Sequence, residues 1–291
     1  MFTQQELIKK TALMKRLAEL SSKGGKGGKT VGKELFTDTE AGRVRILGYR
    51  LDEPQTLPLF VNIHGGGFII GHPEMDDPYL MNVAQKANVK IISIDYSLAP
   101  QAPFPVALNE CYAVIKHFQT HASDYGVGSI SVGGHSAGGN LSAAVCLKNA
   151  ETKELDIKGI ILDYPVLDIY TDPADKPRGK GFVARFFLSH SRSRIFDSCY
   201  CLAREERKNP LISPVYASHE QLATFPPTLL ITAGKDSLCA EAEHFRDLLA
   251  EAGVKVTHRR FPNSPHGFTL SNRPDAQEAW QMMIEHLIMV N

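Results

Sequence analysis

The sequence predicts an α/β fold, a mostly parallel twisted sheet flanked by helices, and three observations carry that reading. Short β-rich apolar runs alternate with helical stretches along most of the chain. Two glycine-rich segments directly follow such runs, at the end of a parallel strand where functional side chains converge. The 291 residues are ample for one sheet with a sizeable core, because the share of surface buried on folding rises with size.

Taken in order, residues 4–20 place Leu7, Leu13, Met14, Leu17 and Leu20 on a helical face. The Ser-, Gly- and Lys-rich stretch 21–29 then reads as a flexible break, so the N-terminal helix is expected to be movable. Strands are predicted at 44–49, 59–63, 89–94, 129–132, 157–162, 228–232 and 254–261, and helices at 106–119, 138–150, 240–252 and 276–289. Alternation of this kind covers both faces of a sheet. From about 170 to 217 no strand pattern appears, and Phe182, Phe186 and Phe187 stand near Arg192 and Arg194. That reads as an inserted helical segment with its aromatic side turned to a pocket or the core. The organisation expected is a helix and linker over 1–40 and one domain over 41–291, interrupted by the insertion at 170–217.

Composition excludes several classes of function. Lys plus Arg (32) balance Asp plus Glu (32), so the concentrated positive charge that nucleic-acid binding draws on is missing. The first six residues are polar and lead into an amphipathic pattern, which predicts neither a leader peptide nor a membrane span. Five cysteines, an odd number without zinc-ligand spacing, point to reduced thiols in a cytoplasmic protein. Lys23 stands where a Walker phosphate loop requires glycine, so the Gly-Lys tract reads as a solvated linker. His117 and His121 have the i, i+4 spacing of a metal pair but no third ligand, and two histidines at a helix C-terminus suit its dipole. Neither a cofactor nor a metal is expected, and no residue pattern decides whether the chain forms a homodimer.

The chemistry concentrates in three places. Gly134-His135-Ser136-Ala137-Gly138 matches G-x-S-x-G between a predicted strand and a predicted helix. A serine on such a sharp turn needs small neighbours, and the helix N-terminus directs free N–H groups at a developing oxyanion. Upstream, His64-Gly65-Gly66-Gly67-Phe68 lets the backbone turn its N–H groups into the same site. A serine alcohol also requires a base held by a carboxylate, in the chain order Ser, acid, His. Asp236 and His266 each fall just beyond a predicted strand. They are preferred over Asp163 and Asp168 as acids, and over the helical His244 and His286 and the strand residue His258 as bases.

Together with Asp95-Tyr96-Ser97-Leu98-Ala99-Pro100 and His266-Gly267-Phe268, these motifs resemble the hormone-sensitive-lipase-like esterases of bacteria over roughly residues 59–268. The resemblance implies an α/β-hydrolase fold, an oxyanion hole from the N–H groups of Gly66, Gly67 and Ala137, and a helical cap formed by the N-terminal helix and the insertion. It implies hydrolysis of short acyl esters through an acyl-enzyme, with Phe68, His135, Phe182, Phe186 and Phe187 as the residues expected to meet the substrate. The alternatives are amide or formamide hydrolysis by the same three residues, and a binding receptor on the same scaffold. Departures occur at His135, where the family usually has an acid, and at Ser97 and Gln101, where Arg and Glu are common. Replacing His135 by Asp is expected to change activity by less than about tenfold, below the effect of losing a general base.

Overall fold

The computed structural model describes residues 2–25, 30–180 and 188–291, with side chains described through residue 16 of the first stretch. Phe182, Phe186 and Phe187 therefore lie outside the described residues. The strands are β1 (Lys33–Thr39), β2 (Gly42–Tyr49), β3 (Leu57–Ile63), β4 (Lys90–Asp95), β5 (Val127–His135), β6 (Ile157–Asp163), β7 (Thr228–Ala233) and β8 (Val256–Phe261). They form one sheet in the order β1-β2-β4-β3-β5-β6-β7-β8. β1 and β2 run antiparallel to their neighbours, and all pairings from β4 onward are parallel.

Adjacent strand residues point to opposite faces, and the core divides accordingly. Val61, Ile63 and Val132 pack with α3 (Val106–Thr120), α5 (Ala137–Thr152) and α8 (Cys239–Glu251), through residues such as Ile115, Leu141 and Phe245. Phe60, Ile91 and Ile161 pack on the other face with α2 (Asp77–Lys86) and α9 (Pro274–Val290), through Leu80, Trp280 and Ile284. β7 is buried at every position, which is why its apolar residues Leu229, Leu230 and Ile231 run together and do not alternate with charged ones. The remaining helices are α1 (Gln4–Gly25), α4 (Ala122–Tyr125), α6 (His190–Tyr200) and α7 (His219–Leu222). No helix among the described residues is long and apolar enough to cross a membrane.

The structure departs from the sequence expectation in three places. The sheet begins at Lys33, inside the stretch 1–40 assigned to helix and linker. β1 is an edge strand with only Thr37 buried, so it carries almost no apolar signal. Helix α2, not anticipated, is short and anchored by Leu80, Val83 and Ala84. Helix α1 continues to Gly25, and its buried face differs from the one expected. Leu7 and Thr11 are buried while Leu13 is 65% exposed, because positions 7, 11 and 14 follow the 3.6-residue period and position 13 falls off it. Helix α1 packs Leu7 against Ile69, Ala99 and Cys199 of the last turn of α6, while Gln4 Nε2 donates to the Pro100 carbonyl at 2.9 Å.

Candidate active site

Strand β5 runs directly into α5, and Ser136 occupies the single residue between them with φ 54° and ψ −111°. A non-glycine residue at positive φ is strained and persists only where its surroundings hold it. Here the Ser136 N–H donates to the Asp163 carbonyl at 2.9 Å, and the Ser136 carbonyl accepts from Val166 N at 3.2 Å. The flanking glycines are dictated by close approach. A Cβ on Gly138 would lie 1.9 Å from the Ile63 carbonyl oxygen at the end of β3.

Asp236 follows β7 and His266 follows β8, so three neighbouring loops at the C-terminal edge of the sheet bring distant residues together. His266 Nε2 lies 3.0 Å from Ser136 Oγ, and His266 Nδ1 lies 2.6 Å from Asp236 Oδ2. Asp236 is buried, and its other oxygen accepts the Leu238 N–H at 3.1 Å. Tyr164 presents its ring to the imidazole at 4.8 Å in an edge arrangement. An alcohol, an imidazole and a carboxylate in this sequence can activate the alcohol as a nucleophile while the acid holds the tautomer.

The glycine loop after β3 lies beside the serine because β3 and β5 are paired, with Ile63 opposite Gly134. Gly66 has φ +121°, and a Cβ there would lie 1.9 Å from the Ile70 carbonyl oxygen, so the turn admits glycine alone. The N–H groups of Gly66 and Gly67 donate to no acceptor among the described residues, and the Ala137 N–H opens α5, where no carbonyl one turn earlier is available. Gly66 and Gly67 line a cavity of about 360 Å³ that also reaches Ser136, the residue before Ala137, and His266, Phe68, Phe196 and Leu188. Phe68, itself at φ 65°, is buried and stacked on Tyr200 with ring centroids 3.7 Å apart.

Residues 60–270 match a family model described as alpha/beta hydrolase fold. The chain belongs to the α/β-hydrolase family. It is 33% identical over 240 residues to the carboxylic ester hydrolase LipN of Mycobacterium tuberculosis, an alignment covering 81% of the chain and 63% of LipN. The chain thus spans less than two thirds of that relative. Over a shorter stretch of 115 residues it is 44% identical to mouse hormone-sensitive lipase, covering 39% of this chain and 15% of the lipase. A solved esterase structure from Rhizomucor miehei is 28% identical, with a TM-score of 0.84, and the match covers 95% of this chain and 90% of that one.

Within this α/β-hydrolase the departures from the family pattern acquire partners. Ser97 donates from Oγ, and also from its backbone N–H, to the Glu110 carboxylate at 2.6 Å, while Gln101 accepts from Lys15. His135 borders the cavity, and its two nitrogens face buried carboxylates. Nδ1 lies 2.6 Å from Asp163 Oδ2 and Nε2 lies 3.7 Å from Asp76 Oδ1. Burial opposes the charge, yet Asp76 and Asp163 outweigh it and raise the imidazole to about 9. Nδ1 is therefore held by Asp163, while Nε2 faces Asp76 without a hydrogen bond among the described residues.

Asp163 is therefore the partner of His135 and makes no hydrogen bond with His266 among the described residues; burial pushes its carboxyl up while His135, Thr269 and the charge of His266 pull it down. Thr269 Oγ1 donates to the same Asp163 oxygen at 2.7 Å, three residues beyond His266. One carboxylate thus ties the strand bearing Ser136 to the loop bearing His266. Asp168 acts as a loop cap, accepting from Tyr170 N and Thr171 N at 3.0 and 2.9 Å. Sequence reasoning missed Asp76, Thr269 and the cavity residues Lys176 and Asp197, none of which stands in a motif. At the end of α3, His121 Nδ1 hydrogen-bonds the His117 carbonyl, the capping role expected for that pair.

Proposed function

We propose that this chain is a serine carboxylic ester hydrolase, with Ser136 as nucleophile, His266 as general base and then acid, and Asp236 as the acid that orients it. The observation carrying this reading is the Ser136–His266–Asp236 relay at 3.0 and 2.6 Å, which opens into a cavity rimmed by uncommitted N–H groups. In acylation His266 takes the Ser136 proton as Oγ attacks the ester carbonyl. The N–H groups of Gly66, Gly67 and Ala137 hold the oxyanion, and His266 then protonates the leaving alcohol. Water activated by the same imidazole releases the acid. The likeness to esterases along nearly the whole chain supports esters as the substrate class, and the five buried free thiols support a reducing, cytoplasmic setting. A serine-directed p-nitrophenyl phosphonate should add one adduct mass to the wild type and none to Ser136→Ala. Stoichiometric labelling of the variant would refute the assignment, and a rate advantage for aryl amides over matched p-nitrophenyl esters would make the protein an amidase.

Helices α1 and α6, joined through Leu7, Cys199 and Ile195, serve as a cap over the acyl pocket, and Phe196 and Leu188 line the cavity beneath it. Each methylene buried there contributes about 0.8 kcal/mol, and each one forced past the end costs about 1–3 kcal/mol. The expected result is a kcat/KM that climbs with acyl length, peaks among roughly C2 to C6 esters, and then falls. A p-nitrophenyl ester series tests this. A continued rise through C12 and C16, or a jump in rate at the solubility limit, would mean that the site acts on lipid surfaces.

A further inference from the structure

The cavity around Ser136 is lined by apolar side chains, yet Lys176 and Asp197 also reach it, and the proposed chemistry uses neither. Lys176 lies in the stretch after β6, and its ammonium donates to Glu241 Oε2 at 2.6 Å and to the Asp168 carbonyl. Glu241 is held in turn, its other oxygen accepting from Leu167 N and Asp168 N at 2.8 and 3.2 Å. An ammonium has three N–H donors, so one is left without an acceptor among the described residues.

Asp197, next to the cavity residue Phe196 on α6, is the converse case. Its carboxylate accepts no hydrogen bond among the described residues. The nearby Arg207 commits Nε to the Cys201 carbonyl at 2.9 Å and Nη2 to Ser198 Oγ at 3.1 Å. Burial pushes the Asp197 carboxyl up to about 7, against the pull of Lys176 and Arg207. Asp197 is half-buried at the cavity wall, so its carboxylate offers unused acceptor oxygens to a group that enters the cavity.

We propose that Lys176 and Asp197 form a polar subsite for a hydroxyl group on the non-reacting arm of the ester, an inference that rests on the esterase reading above. A hydroxyl is the group that donates to Asp197 and accepts from Lys176 at once. An ammonium would meet the Lys176 charge, a carboxylate would meet Asp197, and a methyl would leave both polar groups unpaired. The preferred substrates are therefore hydroxylated short esters.

The test compares matched pairs: ω-hydroxyacyl p-nitrophenyl esters against the esters with methyl in place of hydroxyl, and hydroxyalkyl acetates against n-alkyl acetates of the same length. In one arm, at one length, the wild type should favour the hydroxyl by about tenfold or more in kcat/KM, since a site built around a substrate hydroxyl discriminates strongly against its absence. Asp197→Leu should reverse that preference, and Asp197→Asn, which keeps an acceptor oxygen, should retain part of it and report on the site if the Leu variant does not fold. A wild type that favours the methyl-ended ester at every length in both arms overturns the proposal, as does a preference that Asp197→Leu leaves unchanged. Absence of Ser136-dependent hydrolysis of either member of every pair is the separate failure of the esterase reading, and the subsite falls with it.

Discussion

Ser136→Ala should lower kcat for a short p-nitrophenyl ester by at least about 10⁴, the scale on which a triad acts as a unit, with its thermal stability within about 0.5 kcal/mol of the wild type. Among the described residues the Oγ hydrogen-bonds only the imidazole, at 3.0 Å, so its loss removes the bond-forming atom and almost no packing. Asp236→Asn should lower kcat by about 10³ to 10⁴, because an amide at 2.6 Å from Nδ1 favours the wrong tautomer. Asp168→Asn keeps an oxygen that can accept from Tyr170 and Thr171 and should leave kcat within about tenfold, below the effect of losing a general base. Single-turnover kinetics on the four proteins checks this. A larger kcat loss in Asp168→Asn than in Asp236→Asn would transfer the acid role.

His135→Asp, which restores the residue type usual in the family, should unfold or severely destabilise this protein, by about 3–5 kcal/mol as for other broken buried ion pairs. The sequence-based expectation concerned activity, with a change below about tenfold; the structure adds a stability cost, because a third carboxylate would be buried against Asp163 and Asp76 where an imidazolium now lies between them. The paired exchange His135→Asp with Asp163→His should recover at least half of the loss, which urea unfolding would measure. A folded single variant with wild-type stability would show that the network carries no charge. The pH dependence follows the same pair. The His135 imidazole is raised from its ordinary 6.5 to about 9 by Asp76 and Asp163 against the effect of burial, so its contribution to stability is fully present below about 6.5 and lost as pH rises through about 9. The melting temperature should fall across that window, and His135→Gln should flatten the fall. A profile identical in the two proteins would assign the alkaline loss to another group.

The alternating runs made the sheet and its flanking helices legible because a strand buried on both faces, such as Thr228–Ala233, is mostly apolar and carries no charge. Edge strand Lys33–Thr39 was not legible for the opposite reason, since solvent on both sides relaxes the pattern. Leu13 was misplaced by one position on its helix, and only packing against Ile69 and Ala99 shows which face turns inward.

The candidate site divides in the same way. Ser136, Asp236, His266 and the glycine loop could be read from the chain because each is local chemistry at the end of a strand: a strained turn, close backbone approach, or a carboxylate and an imidazole in a fixed order. What surrounds them could not be read, because Asp76, Asp163, Thr269, Lys176 and Asp197 are ordinary polar residues in loops, on helices or at a strand end until folding brings them together around the site. The sequence by itself determined the fold class and singled out the proposed reacting groups, whose residue types are demanded by backbone geometry and bond chemistry. Only the tertiary structure decided that His135 lies between two carboxylates, and that Lys176 and Asp197 face the cavity with hydrogen bonds unmade, because partnership and desolvation exist only once distant segments are packed together.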